Sequence, residues 1–182
     1  MKRIVTLFVF GLMLAGRAFA GEVTVLGSDG SAKAVQAGEE VVTNDDKVSQ
    51  FDLEGVGGAV TVPCPTCKMT HSGAVKDGLR IFHGGLLVDA DRLKKGSTFR
   101  LESPLAVASV RGTRFAGYAR HDGGDTFVVE RGTVDVALPG GETRAVGAGQ
   151  ALDLSKEGQA TARPASAEEI AALEAMSAAV PA

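Results

Sequence analysis

The residues best suited to chemistry are Cys64 and Cys67, a Cys-x-x-Cys pair within the segment VPCPTCKMTH at positions 62–71. Two cysteines at this spacing can form a redox-active dithiol, contribute to a zinc site, attach a haem or close a disulfide. A zinc site would recruit both cysteines with His71, and with His83 as a fourth ligand. The flanking residues distinguish these four possibilities.

Those flanking residues favour a disulfide. Thioredoxin-type redox chemistry needs the first cysteine at a helix N-terminus, whereas Pro63 and Pro65 beside a Val-Thr-Val run indicate a β-turn. Zinc sites normally carry a second paired motif, and Lys68 stands where a c-type haem motif has histidine. We therefore predict a Cys64–Cys67 disulfide with no metal and no cofactor, and the zinc and redox roles stay open as alternatives.

The tripeptide Arg-Gly-Thr occurs twice, at 111–113 and at 131–133. Arg111 follows a strand-like apolar run, so its guanidinium could bridge backbone carbonyls or a carboxylate at a strand end, or it could bind a partner. We interpret Arg111 as an internal clamp, with Gly112 allowing a second backbone to approach closely. Its removal should then destabilise the fold. We interpret Arg131 in the same way.

The remaining polar residues do not form a recognisable catalytic set. His121 opens the segment HDGGD, which indicates a hairpin turn, and the acidic pairs Asp45-Asp46 and Asp89-x-Asp91 are typical of solvated turns. The sequence has no Gly-x-Ser-x-Gly, no phosphate-binding glycine loop and no His-Glu-x-x-His. We predict that the protein is not an enzyme. A carboxylate pair assembled across strands remains an open alternative.

The first twenty residues predict export. Lys2 and Arg3 precede a short apolar core at 4–15, and Ala18-Phe19-Ala20 has the small-x-small pattern of a signal-peptidase site. The remaining sequence has no apolar run long enough for a transmembrane helix. We therefore expect a cleaved signal peptide at 1–20 and, in a Gram-negative source, a periplasmic protein.

The charge of the mature chain argues against nucleic acid as a partner. Without the three basic residues of the leader, 16 basic residues face 22 acidic ones, a net charge of about −6. Binding to nucleic acid needs clustered lysine and arginine to displace counterions from phosphates, and the sequence has no such stripe.

Short strands must position all of these residues. Valine-rich runs such as Val23-Thr24-Val25 and Val134-Asp135-Val136 alternate with glycine turns, and glycine numbers 24 in the chain. This pattern is typical of an all-β sandwich, barrel or solenoid. We predict an all-β fold of repeated short strands, in a two-sheet sandwich or solenoid-like arrangement, with one short C-terminal helix.

Two segments of the sequence repeat each other. GEVTVLGSDGSAKAVQAGEEV, from Gly21, aligns without a gap with GTVDVALPGGETRAVGAGQAL, from Gly132, at an offset of 111 residues. Lys33 falls opposite Arg144 in this alignment. The repeat predicts two copies of one unit, each a strand, a tight glycine turn and a second strand.

The last residues have a helical pattern instead. Ser166 and Glu169 form a capping box, and Ile170, Leu173 and Met176 recur at helical spacing. We predict one short helix that packs on the sheet, because a helix of this length is marginal alone.

The segment SPLAVASVRGTRFAGY, followed by FVVERGTVDVAL and VGAGQALDL, resembles a FecR-type domain. The resemblance covers residues 21–156, and its most specific part is the Arg-Gly-Thr segment with its flanks. The positions that carry the family motif are Ser103, Pro104, Val110, Arg111, Gly112, Thr113, Phe115, Gly132 and Gly149.

Founding members of this family are inner-membrane regulators of iron-siderophore uptake that sense an outer-membrane transporter. The resemblance implies only their periplasmic β-module here, because the sequence has no cytoplasmic anti-sigma segment. We expect a signal peptide at 1–20, a FecR-like β-domain at 21–156, and a linker with a short helix at 157–182. The expected partner is an unidentified envelope protein. The alternative is a module that binds envelope glycan or a small ligand, although tryptophan is absent and Tyr118 is the sole tyrosine.

Overall fold

Glycine turns and valine-rich runs produce a fold made almost entirely of strands, as predicted. The computed structural model describes residues 23–26, 32–35, 40–44, 50–53, 60–64, 69–75, 78–91 and 93–178. The predicted signal peptide at 1–20 lies outside these residues, so export remains an expectation. Among the described residues, no helix has the length and hydropathy needed to cross a lipid bilayer.

Fifteen strands and one helix are described. The strands are β1 (Val23–Leu26), β2 (Ala32–Val35), β3 (Glu40–Asn44), β4 (Gln50–Leu53), β5 (Val60–Pro63), β6 (Met69–Val75), β7 (Gly78–Asp89), β8 (Phe99–Glu102), β9 (Val107–Val110), β10 (Arg114–Ala119), β11 (Asp125–Arg131), β12 (Thr133–Ala137), β13 (Thr143–Gly147), β14 (Gln150–Leu154) and β15 (Ala160–Pro164). The helix is α1 (Ala167–Ala178).

The long strand β7 belongs to two sheets. Its first half pairs with β6 and, in parallel, with β8, which begins the order β8-β9-β12-β13. Its second half pairs with β5 and with β10, which begins the order β10-β11-β14-β15. We call these the front sheet and the back sheet. Strands β1, β2 and β4 form a separate three-stranded sheet.

A bulge in β7 allows one strand to serve both sheets. Leu79 and Ile81 face the core in the first half, and Leu86 and Val88 face it in the second, so the inward positions change from odd to even. The pairing with β6 shifts register at the same place, because His71 pairs with His83 while Ser72 pairs with Ile81. A bulge of this kind bends a strand and redirects its side chains.

The main core lies between the two sheets. It includes three fully buried phenylalanines, Phe99 from the front sheet and Phe115 and Phe127 from the back sheet. Valine and leucine from alternate positions of both sheets complete it. Burial of each such side chain contributes roughly 1.5–3 kcal/mol, so this layer holds the sandwich together.

The C-terminal helix covers the outer face of the back sheet. Leu173 and Met176 are buried there against Leu87, Ala116 and Val128. The predicted capping box is present, because the Glu169 N–H donates to Ser166 Oγ at 3.1 Å and the Ser166 N–H donates to Glu169 Oε2 at 2.7 Å. The structure therefore confirms the predicted helix and its packing.

The two copies of the internal repeat form two antiparallel strand pairs, in which equivalent residues are paired. Val23 pairs with Val35 in the β1–β2 hairpin, and Val134 pairs with Val146 in the β12–β13 hairpin. Each residue of the first pair lies 111 positions before its counterpart in the second, which is the offset of the alignment. The two paired strands of the repeated unit are confirmed, and the glycine turn of the first copy, at 27–31, lies outside the described residues.

The chain after residue 156 differs from the predicted linker. Strand β15 pairs with β14 along its whole length, so residues 160–164 extend the back sheet. The alanine-rich sequence QATARP lacks the bulky apolar residues that identify a strand, because β15 lies at the sheet edge with its residues largely exposed. Arg144 of β13 donates from Nη1 to the Ala160 carbonyl at 2.8 Å, and thus connects the last strands of the two sheets.

Candidate functional site

The family segment begins with a turn between β8 and β9. The Ser103 N–H donates to the Ala106 carbonyl at 2.9 Å, and the Ala106 N–H donates to Ser103 Oγ at 3.1 Å, with Pro104 between them. Asp125 is buried and accepts the Leu105 N–H at 2.9 Å. Burial raises the pKa of Asp125, while the Ser103 hydroxyl and the Leu105 N–H oppose the rise. Ser103 and Pro104 are therefore structural.

The two Arg-Gly-Thr segments are two of the places where the chain crosses between the front and back sheets. The first joins β9 of the front sheet to β10 of the back sheet, and the second joins β11 back to β12. Gly112 and Gly132 have φ values of +60° and +85°, in the left-handed region that favours glycine. A Cβ on Gly132 would lie 2.5 Å from Thr113 Cγ2, so the two corners are packed together.

Other motif residues hold these corners in place. Val110 and Phe115 flank the first corner and are buried in the core. The Thr113 carbonyl accepts the Ala90 N–H at 2.9 Å, and the Thr113 hydroxyl is buried. Gly149 donates its N–H to the Val129 carbonyl at 2.8 Å and accepts the Ala165 N–H at 2.9 Å. These motif residues thus stabilise the sheet corners, in large part through hydrogen bonds of their backbone groups.

Arg111 is not the internal clamp that the sequence predicts. Its side chain is exposed, and its Nε donates to Thr98 Oγ1 at 3.2 Å. The clamp is Arg114, three residues later, whose Nε and Nη2 donate to Asp89 Oδ2 at 3.0 and 2.5 Å. Both arginines neighbour a buried residue, so the sequence pattern does not distinguish them.

Arg114 links the back sheet to the helix. Its Nη1 lies 3.5 Å from Glu130 Oε1, and the Ser177 hydroxyl of α1 donates to Glu130 Oε2 at 3.0 Å. Burial lowers the pKa of Arg114, but the hydrogen bonds and charges of Asp89 and Glu130 outweigh it, and the net change is a rise. Arg131 is exposed and forms an ion pair with Asp91 at the second corner.

Arg111 lies on the outer face of the front sheet. We call the patch formed there by Arg100, Ser109, Arg111, Thr133 and Asp135 the Arg111 face. Strand pairing places Arg100 opposite Ser109, and Ser109 opposite Asp135. A shallow depression of about 380 Å³ is lined there by Thr98, Ser109, Val110, Arg111, Thr133 and Asp135. Arg100, Arg111, Thr133 and Asp135 are exposed on this face, whereas α1 covers the outer face of the back sheet.

A second arginine fixes the start of the helix. Arg163 of β15 donates to Asp153 Oδ2 at 2.5 Å and to Glu169 Oε1 at 2.7 Å. The Arg163 hydrogen bond lowers the pKa of Glu169 to about 2, with burial opposing and the Ser166 N–H assisting. Burial, with Glu169 nearby, raises the pKa of Tyr118 to about 12. The sequence pattern showed the capping box but not Arg163.

The cysteine pair is described in part. Cys64 is buried, at 6% exposure, and its N–H donates to the Gly85 carbonyl at 2.8 Å. Cys67 lies outside the described residues, so the disulfide remains a prediction. Among the side chains that the structure describes, no three histidine, cysteine or carboxylate groups gather as a metal site would require.

The histidines, which are far apart in the sequence, converge in the fold. His71 is the cross-strand partner of His83 in the β6–β7 ladder. The ring of His83 lies with its centroid 3.7 Å from that of His121, at an interplanar angle of 49°. His121 occupies the predicted turn between β10 and β11.

No family model matches the chain, and no curated protein matches it. Two crystal structures, each of a proposed anti-sigma factor from Parabacteroides distasonis, are similar at 16% identity and a TM-score of 0.48. The alignments cover 82% and 75% of this chain and 63% and 61% of those chains, so the chain spans about three-fifths of their length. A likeness of this size does not extend to function, and the similarity to FecR-type domains remains a resemblance of sequence motifs.

Proposed function

We propose that this chain is a non-enzymatic, exported FecR-type β-domain that acts in the periplasm as a protein-interaction module in regulation or signalling. The motif residues support this proposal because they build sheet corners and turns instead of converging on a reactive group. The proposal includes the Cys64–Cys67 disulfide. Thiol counting on protein purified from periplasm tests that bond, and two free thiols would remove it.

The Arg111 face is the observation that carries the proposal. Arg111 is the charged residue of the Arg-Gly-Thr segment, the most specific part of the motif. Its guanidinium is exposed and donates a hydrogen bond to the Thr98 hydroxyl. Arginine is enriched at protein interfaces, where its planar donors can pair with carboxylates and backbone carbonyls of a partner. An exposed arginine on an uncovered sheet face fits a contact role better than a structural one.

The surroundings of Arg111 suit a protein partner. Ser109 and Thr133 are small, so a second surface can approach the sheet closely, and Arg100 and Asp135 supply both signs of charge. Mixed charges of this kind favour specificity for one partner over raw affinity. Strand addition is a second mode only at the part of the β13 and β15 edges that the hydrogen bond from Arg144 to the Ala160 carbonyl leaves open.

Crosslinking in the intact cell envelope, followed by purification of the full chain, tests the proposal. We expect a defined protein to be captured by the native chain and lost with Arg111→Ala, while the melting temperature of that variant stays unchanged. Lys156→Ala is the matched control, since Lys156 is also an exposed cation and lies outside the Arg111 face. Equal loss of capture in both variants, or recovery of glycan with no protein, would contradict the proposal.

A second candidate function is suggested by a cleft of about 570 Å³ at one end of the sandwich. Phe82, which is 50% exposed, lines this cleft beside the ion pair of Arg80 and Glu102. An exposed aromatic ring with nearby polar groups is suited to a small ligand. A rise in melting temperature with envelope glycan fragments, lost in Phe82→Ala, would favour this candidate over the first.

A further inference from the structure

Two arginines on the outer face of the front sheet lack the carboxylate partners that the other arginines have. Six of the arginines whose side chains the structure describes form ion pairs with aspartate or glutamate: Arg80, Arg114, Arg120, Arg131, Arg144 and Arg163. Arg100 and Arg111 are exposed, and neither is paired with a carboxylate of the described chain. The sequence has 22 acidic residues against 19 basic ones, so a shortage of carboxylates does not explain the difference.

These two arginines are neighbours on the Arg111 face. Arg100 of β8 pairs with Ser109 of β9, and Arg111 lies two residues beyond Ser109, so the two arginines are diagonal neighbours. Residues in this relation are about 7–8 Å apart. The hydrogen bond from Arg111 to Thr98, two residues before Arg100, keeps both guanidinium groups on one side of the sheet. Because two positive charges at this distance repel each other, a ligand that brings negative charge to them is favoured.

The other charged groups of this face limit where such a ligand can bind. Glu102 is the next outward residue of β8, and it already accepts Arg80 Nε at 2.8 Å. Asp135 lies on the opposite side of Ser109 from Arg100, and no ion pair joins it to another described side chain. Negative charge is therefore attracted toward Arg100 and Arg111 and repelled at Asp135, which fixes the position of the ligand on the face.

We propose that the Arg111 face binds an extended acidic segment of a protein partner, with acidic residues at alternate positions. This inference rests on the proposed function and specifies the chemistry of its partner. Side chains two residues apart in an extended chain point to the same side and lie about 6.6–6.8 Å apart, close to the spacing of the two arginines. Each guanidinium can then bind one carboxylate through two parallel hydrogen bonds. Ser109 and Thr133 are small, so the segment can lie close to the sheet.

Fluorescence anisotropy of a labelled peptide, titrated with the full chain at low ionic strength, tests this inference. The probe is acetyl-Glu-Ser-Glu-Ser-Glu. Its matched control is acetyl-Glu-Glu-Ser-Ser-Glu, which has the same charge and composition but no two acidic residues at alternate positions. We expect the probe to bind and the control peptide to bind more weakly, because adjacent side chains of an extended chain point to opposite sides.

Substitutions on the face give the second part of the test. Arg100→Gln and Arg111→Gln should each raise the Kd of the probe by about tenfold, because a hydrogen bond to a charged group contributes at least this factor. Asp135→Asn removes the repelling charge and should lower the Kd by about threefold. Lys156→Gln removes an exposed cation outside the face and should bind as the native chain does.

Several results would overturn the inference. Equal affinity for the two peptides, or native affinity in both arginine variants, would mean that these arginines do not select an alternating acidic segment. Binding to phosphatidylglycerol vesicles that both arginine variants lose, with no peptide bound, would assign the face to a membrane surface. A dimer in sedimentation velocity that dissociates in Arg111→Gln would assign it to a second copy of this chain.

Failure of this inference is distinguishable from failure of the proposed function. If the native chain captures an envelope protein through Arg111 but binds neither peptide, the proposed function stands and the acidic partner is wrong. If the probe binds with the expected dependence on Arg100 and Arg111 but no envelope protein is captured, the face recognises acidic segments and the proposed function is wrong.

Discussion

At the scale of single residues, Arg111 and Arg114 show how one motif can carry two roles. Each follows or precedes a buried side chain, so each points away from the core. The guanidinium of Arg114 contacts the carboxylates of Asp89 and Glu130, and Ser177 of α1 donates to Glu130. These carboxylates offset the free-energy cost of partly burying the positive charge. Outside Arg111 the described chain places only Thr98 within hydrogen-bond reach. The neighbouring residues in the fold, and not the residue type, determine whether an arginine of this motif stabilises the structure or is available to a partner.

Removal of the Arg114 side chain should destabilise the protein substantially. Arg114→Ala leaves Asp89, which is 7% exposed, without its charged partner, and we expect a loss of about 2 kcal/mol in the free energy of unfolding. Arg111→Ala removes an exposed group and should change it by less than about 0.5 kcal/mol. Urea denaturation of the two variants measures the difference, and equal losses would contradict the assignment of the clamp.

A glycine at the second sheet corner should be harder to replace than a glycine in an open turn. Gly132 and Gly141 have nearly equal φ values, +85° and +84°, so alanine costs about 1–2 kcal/mol at either position. At Gly132 the new methyl group also meets Thr113, whereas at Gly141 no atom lies within 4 Å. We expect Gly132→Ala to cost a further 1–3 kcal/mol or so. Thermal unfolding of both variants tests this, and equal melting temperatures would show that the corners are not packed together.

At the scale of elements, the helix α1 is held by an apolar face and an ionic contact at its start. Leu173 and Met176 provide the apolar contact with the back sheet. Arg163 provides the ionic contact, since it joins Glu169 of the helix to Asp153 of β14. The helix is short, so its stability depends on these contacts more than on its own hydrogen bonds.

The ionic contact should make helix packing sensitive to acid. The pKa of Glu169 is about 2 in the folded chain against an ordinary value of 4.5, so its contribution is complete above pH 4.5 and is lost as the pH falls toward 2. As the pH falls from 4.5 toward 2, the stability of the Glu169→Gln variant should therefore decrease less than that of the native chain. Melting temperatures measured across that range test this, with Glu168→Gln as the control. Parallel curves for the native chain and Glu169→Gln would contradict it.

At the scale of the whole molecule, the two sheets form an almost closed sandwich. They share β7 at one side, and at the other side Arg144 of β13 donates to the backbone of β15. That hydrogen bond satisfies a carbonyl at the edge of the sheet. An edge that is partly satisfied in this way is less available for unwanted pairing with another chain.

Loss of the Arg144 contact should loosen β15 first. Arg144→Met keeps the apolar stem but removes the donors, and we expect faster hydrogen exchange in residues 157–166 with a loss of about 1 kcal/mol in stability. Arg144→Lys retains a donor and should exchange more slowly than the methionine variant. Exchange in this segment that matches the native rate in Arg144→Met would show that the contact does not hold the edge.

Local patterns in the sequence predicted much of this architecture. Strands and glycine turns are determined mostly by residues close together in the sequence. The alternating valines and the glycines of the repeat that begins at Gly21 and Gly132 were therefore enough to predict the all-β class and the duplicated hairpin. The capping box of Ser166 and Glu169 is likewise confined to one turn of chain. Features of this kind need no knowledge of what packs outside them.

Features that depend on distant partners were missed. The clamp role of Arg114 requires Asp89, and the role of Arg163 requires Asp153 and Glu169, all of which come together only in the folded sheets. The sequence of β15 indicates a linker, because an edge strand buries little of its surface and needs few bulky apolar residues. The meeting of His83 with His121 depends on a bulge that no sequence pattern indicates.

The shared strand β7 has a consequence for how the protein comes apart. Its front half holds β6 and β8, and its back half holds β5 and β10. Neither layer can melt without removing the central partner of the other, so both should be lost in one transition. Probes placed on opposite sides of the sandwich should report a single denaturation midpoint, and two separate midpoints would mean that the layers are independent.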